Sequence, residues 1–204
     1  SSDLKAFQEA VKAYGWRYEY LAFSFFTKQV VVRIKWMSIA DYLRSSAAKI
    51  ERQLGFSFSE ANIEINLLCQ QVLGVNRAWL ITHENDELSA NQQAQIDALL
   101  NRRLKGEPIA YILGMREFYG LPLKTTPATL IPRPDTVTLV DATLDKLAPH
   151  RNLKVLDLGT GTGAIAFAIA KNRPQAQVTA VDFSAEALSV AKENEIGRAH
   201  VWTP

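Results

Sequence analysis

The strongest constraint on this chain is an apolar stretch that ends in an acid and alternating glycines, Val155-Leu156-Asp157-Leu158-Gly159-Thr160-Gly161-Thr162-Gly163. A helix-forming segment follows, and a second apolar run from Val178 to Val181 ends in Asp182. Strand, glycine turn, helix and strand make a βαβ unit, the building block of a doubly wound parallel sheet. The glycines let a ligand approach main-chain N–H groups at the helix N-terminus. The sequence therefore predicts an α/β domain with a ligand above the carboxyl ends of these strands.

The spacing of the glycines favours one kind of nucleotide. Dinucleotide sites use Gly-x-Gly-x-x-Gly, with the pyrophosphate over the helix end, whereas this chain has Gly-x-Gly-x-Gly with Asp157 just before it. An acid at that position would repel a pyrophosphate but suits a ligand that carries an ammonium group and no phosphate. S-adenosylmethionine fits, and Asp-x-Gly-x-Gly-x-Gly resembles motif I of the class I methyltransferases. We expect S-adenosylmethionine as the cofactor, with a nicotinamide cofactor as the alternative.

Each candidate site residue then receives a role. The glycine loop is expected to line the methionine and ribose side of the cofactor, through Gly159, Thr160, Gly161, Thr162 and Gly163. Asp182 is expected to take the ribose hydroxyls. Asp157 is expected either to act near the amino group or to cap the N–H groups of the glycine turn.

Composition argues against several other classes of protein. The net charge of the 204 residues is +2, too small to suggest nucleic-acid binding by electrostatics alone. The single Cys69 excludes an internal disulfide, and the three histidines show no metal-ligand spacing, so we expect no metal. No apolar run reaches the ~18 residues that a membrane span requires. We expect a cytoplasmic monomer with a buried, structural Cys69.

Both ends of the chain look unlike natural coding sequence. Ser1-Ser2-Asp3-Leu4 can be encoded by a short DNA whose reverse complement spells Ile196-Gly197-Arg198, and the residues up to Pro204 resemble translated sequencing-adapter DNA. We expect residues 195–204 to be such an artefact, and we expect the natural reading frame to be interrupted near Asn194. Residues 1–36 are expected to be a non-native or upstream segment, with Met37 as the start. A genuine hydrophobic extension over residues 5–36 is the alternative.

Between these ends the pattern predicts two domains joined by a hairpin. Residues 37–114 are expected to form a small helical bundle, with helix starts at Ser38, Ser59, Asn76 and Ser89. The basic cluster of Arg102, Arg103 and Lys105 is interpreted as a solvated last helical turn. Glycines and prolines punctuate short apolar pieces over residues 115–134, which predicts a hairpin linker. Residues 135–194 then begin the α/β domain.

Several segments together resemble one family. Residues 103–114, 117–120 and 130–136, with motif I, are similar to the HemK/PrmC-type protein-(glutamine-N5) methyltransferases, and Gly-Glu-Pro…Tyr-Ile and Ile-Pro-Arg-Pro are more specific than the glycine loop. The resemblance implies a helical N-terminal domain, a β-hairpin and a class I (Rossmann-like) methyltransferase domain. It implies S-adenosylmethionine-dependent methylation of the glutamine in the Gly-Gly-Gln motif of class 1 peptide chain release factors, which the helical domain and hairpin help to hold.

The chain departs from the family pattern at two points. The family holds the glutamine amide with an Asn-Pro-Pro-Tyr motif, which is not among these residues. We therefore assign no catalytic residue, regard the methyltransferase domain as incomplete, and expect weak or no catalysis by this chain. The family commonly carries Glu where Val137 stands. Arg133 is expected at the pocket mouth or in a structural salt bridge.

Two other functions stay open at this point. A nucleic-acid adenine-N6 methyltransferase would use a similar pocket for a planar amino group. A non-catalytic helical docking module with a broken cofactor domain is the other alternative.

Overall fold

The computed structural model describes residues 17–23, 30–35, 37–148, 152–195 and 200–201. It divides the chain into two compact units, Ser1–Glu107 and Pro108–Pro204. At the start of the first unit, β1 Arg17–Phe23 and β2 Val30–Lys35 pair antiparallel. Residues 1–16 and most of residues 195–204 lie outside the described residues, so the non-natural origin of both ends stays a prediction.

The described part of the first unit continues with four helices: α1 Ile39–Leu54, α2 Phe58–Leu73, α3 Arg77–Thr82 and α4 Ala90–Leu104. Helices α1, α2 and α4 pack on one another. Their shared core consists of buried apolar side chains: Ile39, Tyr42, Ala47, Ile50, Ala61, Ile65, Leu68, Cys69, Ile96 and Leu100. The predicted bundle and the buried Cys69 are confirmed. No helix in the described ranges is long and apolar enough to cross a membrane.

The helix starts follow the capping residues, with one correction. Ser38, Asn76 and Ser89 each accept a hydrogen bond from a backbone N–H of the first turn, as predicted. Helix α2 begins after Ser57 and not after Ser59, because Ser57 and Glu60 form a reciprocal capping box. The Ser57 hydroxyl accepts from the Glu60 N–H, and the Glu60 carboxylate accepts from the Ser57 N–H at 2.9 Å.

The basic cluster at the end of α4 is not the solvated turn that the sequence predicts. Arg102 and Lys105 are exposed, but Arg103 is only 8% exposed. The Arg103 guanidinium donates to the Glu64 carboxylate at 2.6 and 3.2 Å, and it lies 5.0 Å from the ring centroid of Phe56. The interpretation is wrong for Arg103 because its anionic partner lies on α2, 39 residues away in sequence.

In the described residues of the second unit, a short helix and a pair of strands precede alternating helices and strands: α5 Ile109–Leu113, β3 Met115–Phe118, β4 Leu121–Lys124, α6 Thr136–Lys146, β5 Lys154–Leu158, α7 Ala164–Asn172, β6 Gln177–Val181, α8 Ala185–Glu193 and β7 His200–Val201. Strands β3 and β4 form the predicted hairpin. Its apolar side chains are buried in the core of this unit, where Phe118, Leu121 and Leu123 meet Val140 and Phe167. The predicted boundaries at residues 114, 134 and 194 stay predictions.

Strands β5 and β6 pair parallel, with Val155 opposite Val178 and Leu158 opposite Val181. Helix α7 connects them and covers one face of the pair, and β7 pairs parallel with β6. The βαβ unit is therefore confirmed as the start of a Rossmann-like domain. On the other face of β5, Leu156 and Leu158 are 59% and 72% exposed. Within the described ranges β5 pairs on one side only.

Candidate cofactor site

The glycine loop lies at the carboxyl ends of β5 and β6. The backbone N–H groups of Gly159 and Thr160 both donate to the carbonyl of Val181, at 2.8 and 3.0 Å. The Gly163 N–H then donates to the Thr160 carbonyl at 2.9 Å and closes the turn before α7. The loop is thus tied to the neighbouring strand at the edge of the sheet where α/β proteins bind ligands.

The three glycines of the loop serve two different purposes. The φ angles of Gly159, Gly161 and Gly163 are 75°, 57° and 82°, which L side chains rarely adopt. A Cβ added at Gly159 or Gly161 would meet nothing within 4 Å, so both residues border open space. A Cβ at Gly163 would lie 2.0 Å from the Phe167 ring. Gly163 therefore allows α7 to pack closely against the loop.

Asp182, at the end of β6, is held by the backbone on both of its carboxylate oxygens. Oδ2 accepts from the N–H of Gly161 at 2.8 Å, and Oδ1 accepts from the N–H of Ser184 at 3.0 Å. Ser184 in turn caps α8, because its hydroxyl accepts from the N–H of Ala187 at 3.1 Å. The orientation of the Asp182 carboxylate is therefore fixed by two separate chain segments.

Asp157 reaches the site only through a neighbour. Its Oδ2 accepts a hydrogen bond of 2.7 Å from the hydroxyl of Thr160, and Asp157 itself is half-buried on β5. Thr160 is 7% exposed and belongs to the glycine loop. Asp157 thus anchors a loop side chain through its hydroxyl, which differs from the predicted capping of backbone N–H groups.

A cavity of about 430 Å³ opens at the glycine loop, a volume typical of small-molecule sites. Its walls come from the glycine loop, the ends of β6 and of the chain before α6, and the starts of α6, α7 and α8: residues 128–133, 159–162, Thr136, Ala164, Ile165, Asp182, Ser184 and Ala187. Every residue predicted to bind the cofactor lines this cavity except Asp157 and Gly163. The structure therefore brings the glycine loop and Asp182 together around one space.

Arg133 and Val137, the two positions near the start of α6 that the sequence singled out, differ in their surroundings. Arg133 lines the cavity, is exposed, and makes no ion pair with any described residue. The salt-bridge alternative is therefore absent among the described residues, and the place of Arg133 at the pocket mouth stays a prediction. Val137 does not line the cavity. It is half-buried against the cluster that contains Phe118 and Val140, which suits an apolar side chain.

Two segments of the chain match known protein families. Residues 47–114 match the PrmC N-terminal domain, and residues 149–198 match a methyltransferase domain. A release factor glutamine methyltransferase of Aliivibrio fischeri is 52% identical over 128 residues, 63% of this chain and 44% of that protein. The protein of the same name from Escherichia coli is 47% identical over 131 residues, 64% of this chain and 47% of that protein. That of Vibrio cholerae is 48% identical over 158 residues, 78% of this chain and 54% of that protein.

The chain is homologous to these proteins named release factor glutamine methyltransferase. It spans about half the length of the curated relatives it matches. The resemblance that the sequence indicated is thereby confirmed, and two of the segments that carried it, residues 103–114 and motif I, lie within the matched ranges. A methyltransferase domain requires a methyl donor, so the comparison favours such a donor over a nicotinamide cofactor.

Sequence reasoning missed three residues that shape the site. Ser184 and Thr136 line the cavity, and Asn194 donates to the carbonyl of Thr162 at 3.0 Å. Ser184 could have been found, since a serine directly before a helical pattern is an N-cap signal. Asn194 has no comparable local signal because its partners lie far away in the sequence.

Proposed function

We propose that the cavity binds S-adenosylmethionine through Asp182 and the glycine loop. The observation that carries the proposal is the arrangement of the Asp182 carboxylate on the cavity wall. Each of its oxygens accepts one backbone N–H, and an ionised carboxylate offers about four acceptor positions in all. Each oxygen can therefore accept one further hydrogen bond. The adjacent hydroxyls of a ribose supply two donors with matching spacing.

The charges around the loop also support a ligand without phosphate. Two acids, Asp157 and Asp182, lie at the ends of adjacent strands. The N–H of Gly161, which could otherwise face an anion, donates to Asp182. These carboxylates repel an anionic pyrophosphate, whereas they attract a cationic sulfonium compound with an amino group.

The residues of this chain would bind and orient the cofactor. S-adenosylmethionine, when bound, supplies a methyl group on a positively charged sulfur. Asp182 would fix the ribose, and the lack of side chains at Gly159 and Gly161 would let the ligand approach the backbone. Arg133 would lie at the mouth of the site. We assign none of these residues to the methyl acceptor.

The acceptor that we propose for the protein is the glutamine of the Gly-Gly-Gln motif in class 1 peptide chain release factors. The names of the relatives support this substrate, and the match of residues 47–114 to the PrmC N-terminal domain supports a role of the helical unit in holding the release factor. We also propose a monomer that acts in the cytoplasm without binding nucleic acid. No structural observation favours an adenine-N6 methyltransferase.

Titration calorimetry on the full chain tests the cofactor. We expect S-adenosylmethionine and its demethylated product S-adenosylhomocysteine each to bind at one site per chain, and NAD⁺ not to bind. Binding of NAD⁺ without binding of S-adenosylmethionine would contradict the proposal.

Binding of purified translation factors to the surface-immobilised chain tests the proposed protein partner. We expect the chain to retain a purified class 1 release factor but not a translation factor that lacks a Gly-Gly-Gln motif. Equal retention of both factors would argue against the proposed partner. Light scattering of the free chain gives its mass and tests the proposed monomer.

A further inference from the structure

Asn194, the residue directly after α8, has a buried side chain that forms hydrogen bonds through both its carbonyl oxygen and its amide nitrogen. It is 5% exposed. Its Oδ1 accepts from the backbone N–H of Lys124 at 2.6 Å, and its Nδ2 donates to the carbonyls of Lys124 and Thr162 at 2.9 and 3.0 Å. A side-chain amide offers two N–H donors and one carbonyl acceptor. All of them are directed at backbone groups outside α8.

These hydrogen bonds join three segments that are distant in sequence. Lys124 ends β4 and lies 70 residues before Asn194, and Thr162 in the glycine loop lies 32 residues before it. The Lys124 ammonium also pairs with the carboxylate of Glu193, but each of those side chains is about half exposed to solvent. The buried amide of Asn194 therefore provides the main polar connection between the hairpin, the glycine loop and α8.

The hydrogen bond to Thr162 acts on the part of the loop that determines its shape. The Thr162 carbonyl and the Gly163 N–H belong to one planar peptide unit. Asn194 holds the carbonyl, and the N–H donates to the Thr160 carbonyl at 2.9 Å. Rotation of this peptide would break both hydrogen bonds. The peptide lies directly after Gly161 and Thr162, which line the cavity.

We infer that Asn194 is a positioning residue of the cofactor site, which acts by fixing the peptide between Thr162 and Gly163 and thereby the loop that lines the cavity. Asn194 does not line the cavity itself. The identity of the ligand in this inference rests on the proposed function, whereas the ordering of the loop does not. An asparagine with a purely structural role would lower the stability of the whole unit, whereas a positioning residue affects the loop first.

Two variants separate these roles. Asn194→Ala removes all three hydrogen bonds. Asn194→Asp keeps the shape of the side chain and the acceptor for the Lys124 N–H, but it turns a carboxylate oxygen toward two carbonyls. Asn172→Ala is the matched control, because Asn172 also lies at the end of a helix but is exposed and donates only to Ala168 of its own helix, at 2.8 Å.

The first readout is amide hydrogen exchange in the ligand-free full chain. We expect the N–H groups of Gly161 and Gly163 to exchange about tenfold faster in both Asn194 variants, since a lost buried hydrogen bond costs on the order of one factor of ten. The exchange rate of the Phe167 amide in α7 should rise less. Asn172→Ala should change the exchange rate neither in the loop nor at Phe167. Unchanged loop exchange, or an equal rise in the loop and in α7, would overturn the inference. So would a failure of both Asn194 variants to fold.

The second readout is the dissociation constant of S-adenosylmethionine, measured well below the melting temperature. We expect a rise of about tenfold in both Asn194 variants and none in Asn172→Ala. Wild-type affinity in variants whose loop exchanges faster would overturn the positioning role. If the wild-type chain binds no S-adenosylmethionine, the proposed function fails, while the exchange measurement still decides whether Asn194 orders the loop.

Discussion

The Asp182 carboxylate accepts a 2.8 Å hydrogen bond from the backbone N–H of Gly161, although Asp182 follows β6 and Gly161 follows β5. The acid that is expected to hold the ribose also orders the loop that is expected to face the rest of the cofactor. Neither part of the site is independent of the other. Changes at Asp182 should therefore affect the ligand directly and through the loop.

Replacement of the loop glycines by alanine should distinguish strain from steric collision. Gly159→Ala introduces only the positive φ, which costs about 1–2 kcal/mol. Gly163→Ala adds a Cβ that would lie 2.0 Å from the Phe167 ring, for a further cost of about 1–3 kcal/mol. Urea unfolding followed by circular dichroism measures both changes in the free energy of unfolding. Equal destabilisation by the two variants would show that α7 does not pack tightly on Gly163.

Glu64→Gln should destabilise the helical unit by about 3–5 kcal/mol, because it leaves the buried Arg103 guanidinium without its anionic partner. The two side chains are only 9% and 13% exposed. Glu107→Gln is the matched control, because Glu107 pairs with the neighbouring Arg102 at the surface. It should leave stability unchanged within error. Urea unfolding midpoints compare the variants, and similar midpoints would mean that the Arg103 pair is not effectively buried.

Stability should fall at alkaline pH because of Cys69. Burial raises the pKa of the Cys69 thiol to about 12, with a contribution from Asp97. A thiol in the unfolded chain has a pKa of about 8.5, so above that pH the unfolded chain releases a proton that the folded chain keeps. The contribution of the Cys69 thiol to the free energy of unfolding is complete below this pH. It decreases by about 1.4 kcal/mol per pH unit as the pH rises toward the pKa of the folded state.

Urea unfolding at about pH 8 and about pH 10 measures this loss. Cys69→Ala is the control, because it removes the contribution of Cys69 to the decrease in the free energy of unfolding with pH. Burial and the hydrogen bond to Asp97 also raise the pKa of Tyr42, so the variant should keep a smaller slope. Identical pH dependence in wild type and Cys69→Ala would contradict the account.

Local signals predicted most of the fold. A serine or asparagine before an apolar periodic run located the starts of α1, α3 and α4. Apolar runs ending in acids located β5 and β6, because strands of parallel sheets are rich in apolar residues and their carboxyl ends carry the site. The start of α2 was misplaced even though its signal is local. Ser57 and Glu60 have the capping-box spacing and Ser59 does not.

Long-range partners set the limit of prediction from sequence. Arg103 lies next to exposed residues in sequence, and only the position of Glu64 on α2 explains its burial. Asn194 ends a helix like any polar residue, yet it binds Lys124 and Thr162 from other segments. Such side-chain pairs depend on how helices, strands and loops pack against one another. Hydrophobic periodicity and capping signals in the sequence do not describe this packing.

The most direct test of the account is the affinity of Asp182→Ala for S-adenosylmethionine, measured by titration calorimetry beside the wild-type chain. Asp145→Ala is the matched control, since Asp145 is an exposed acid on α6 that does not line the cavity. We expect Asp182→Ala to bind at least about thirtyfold more weakly, because two hydrogen bonds from the ribose to a charged acceptor are lost together with the anchor of Gly161. Asp145→Ala should bind like wild type. Equal affinity of Asp182→Ala and Asp145→Ala would contradict the central claim that Asp182 holds the cofactor.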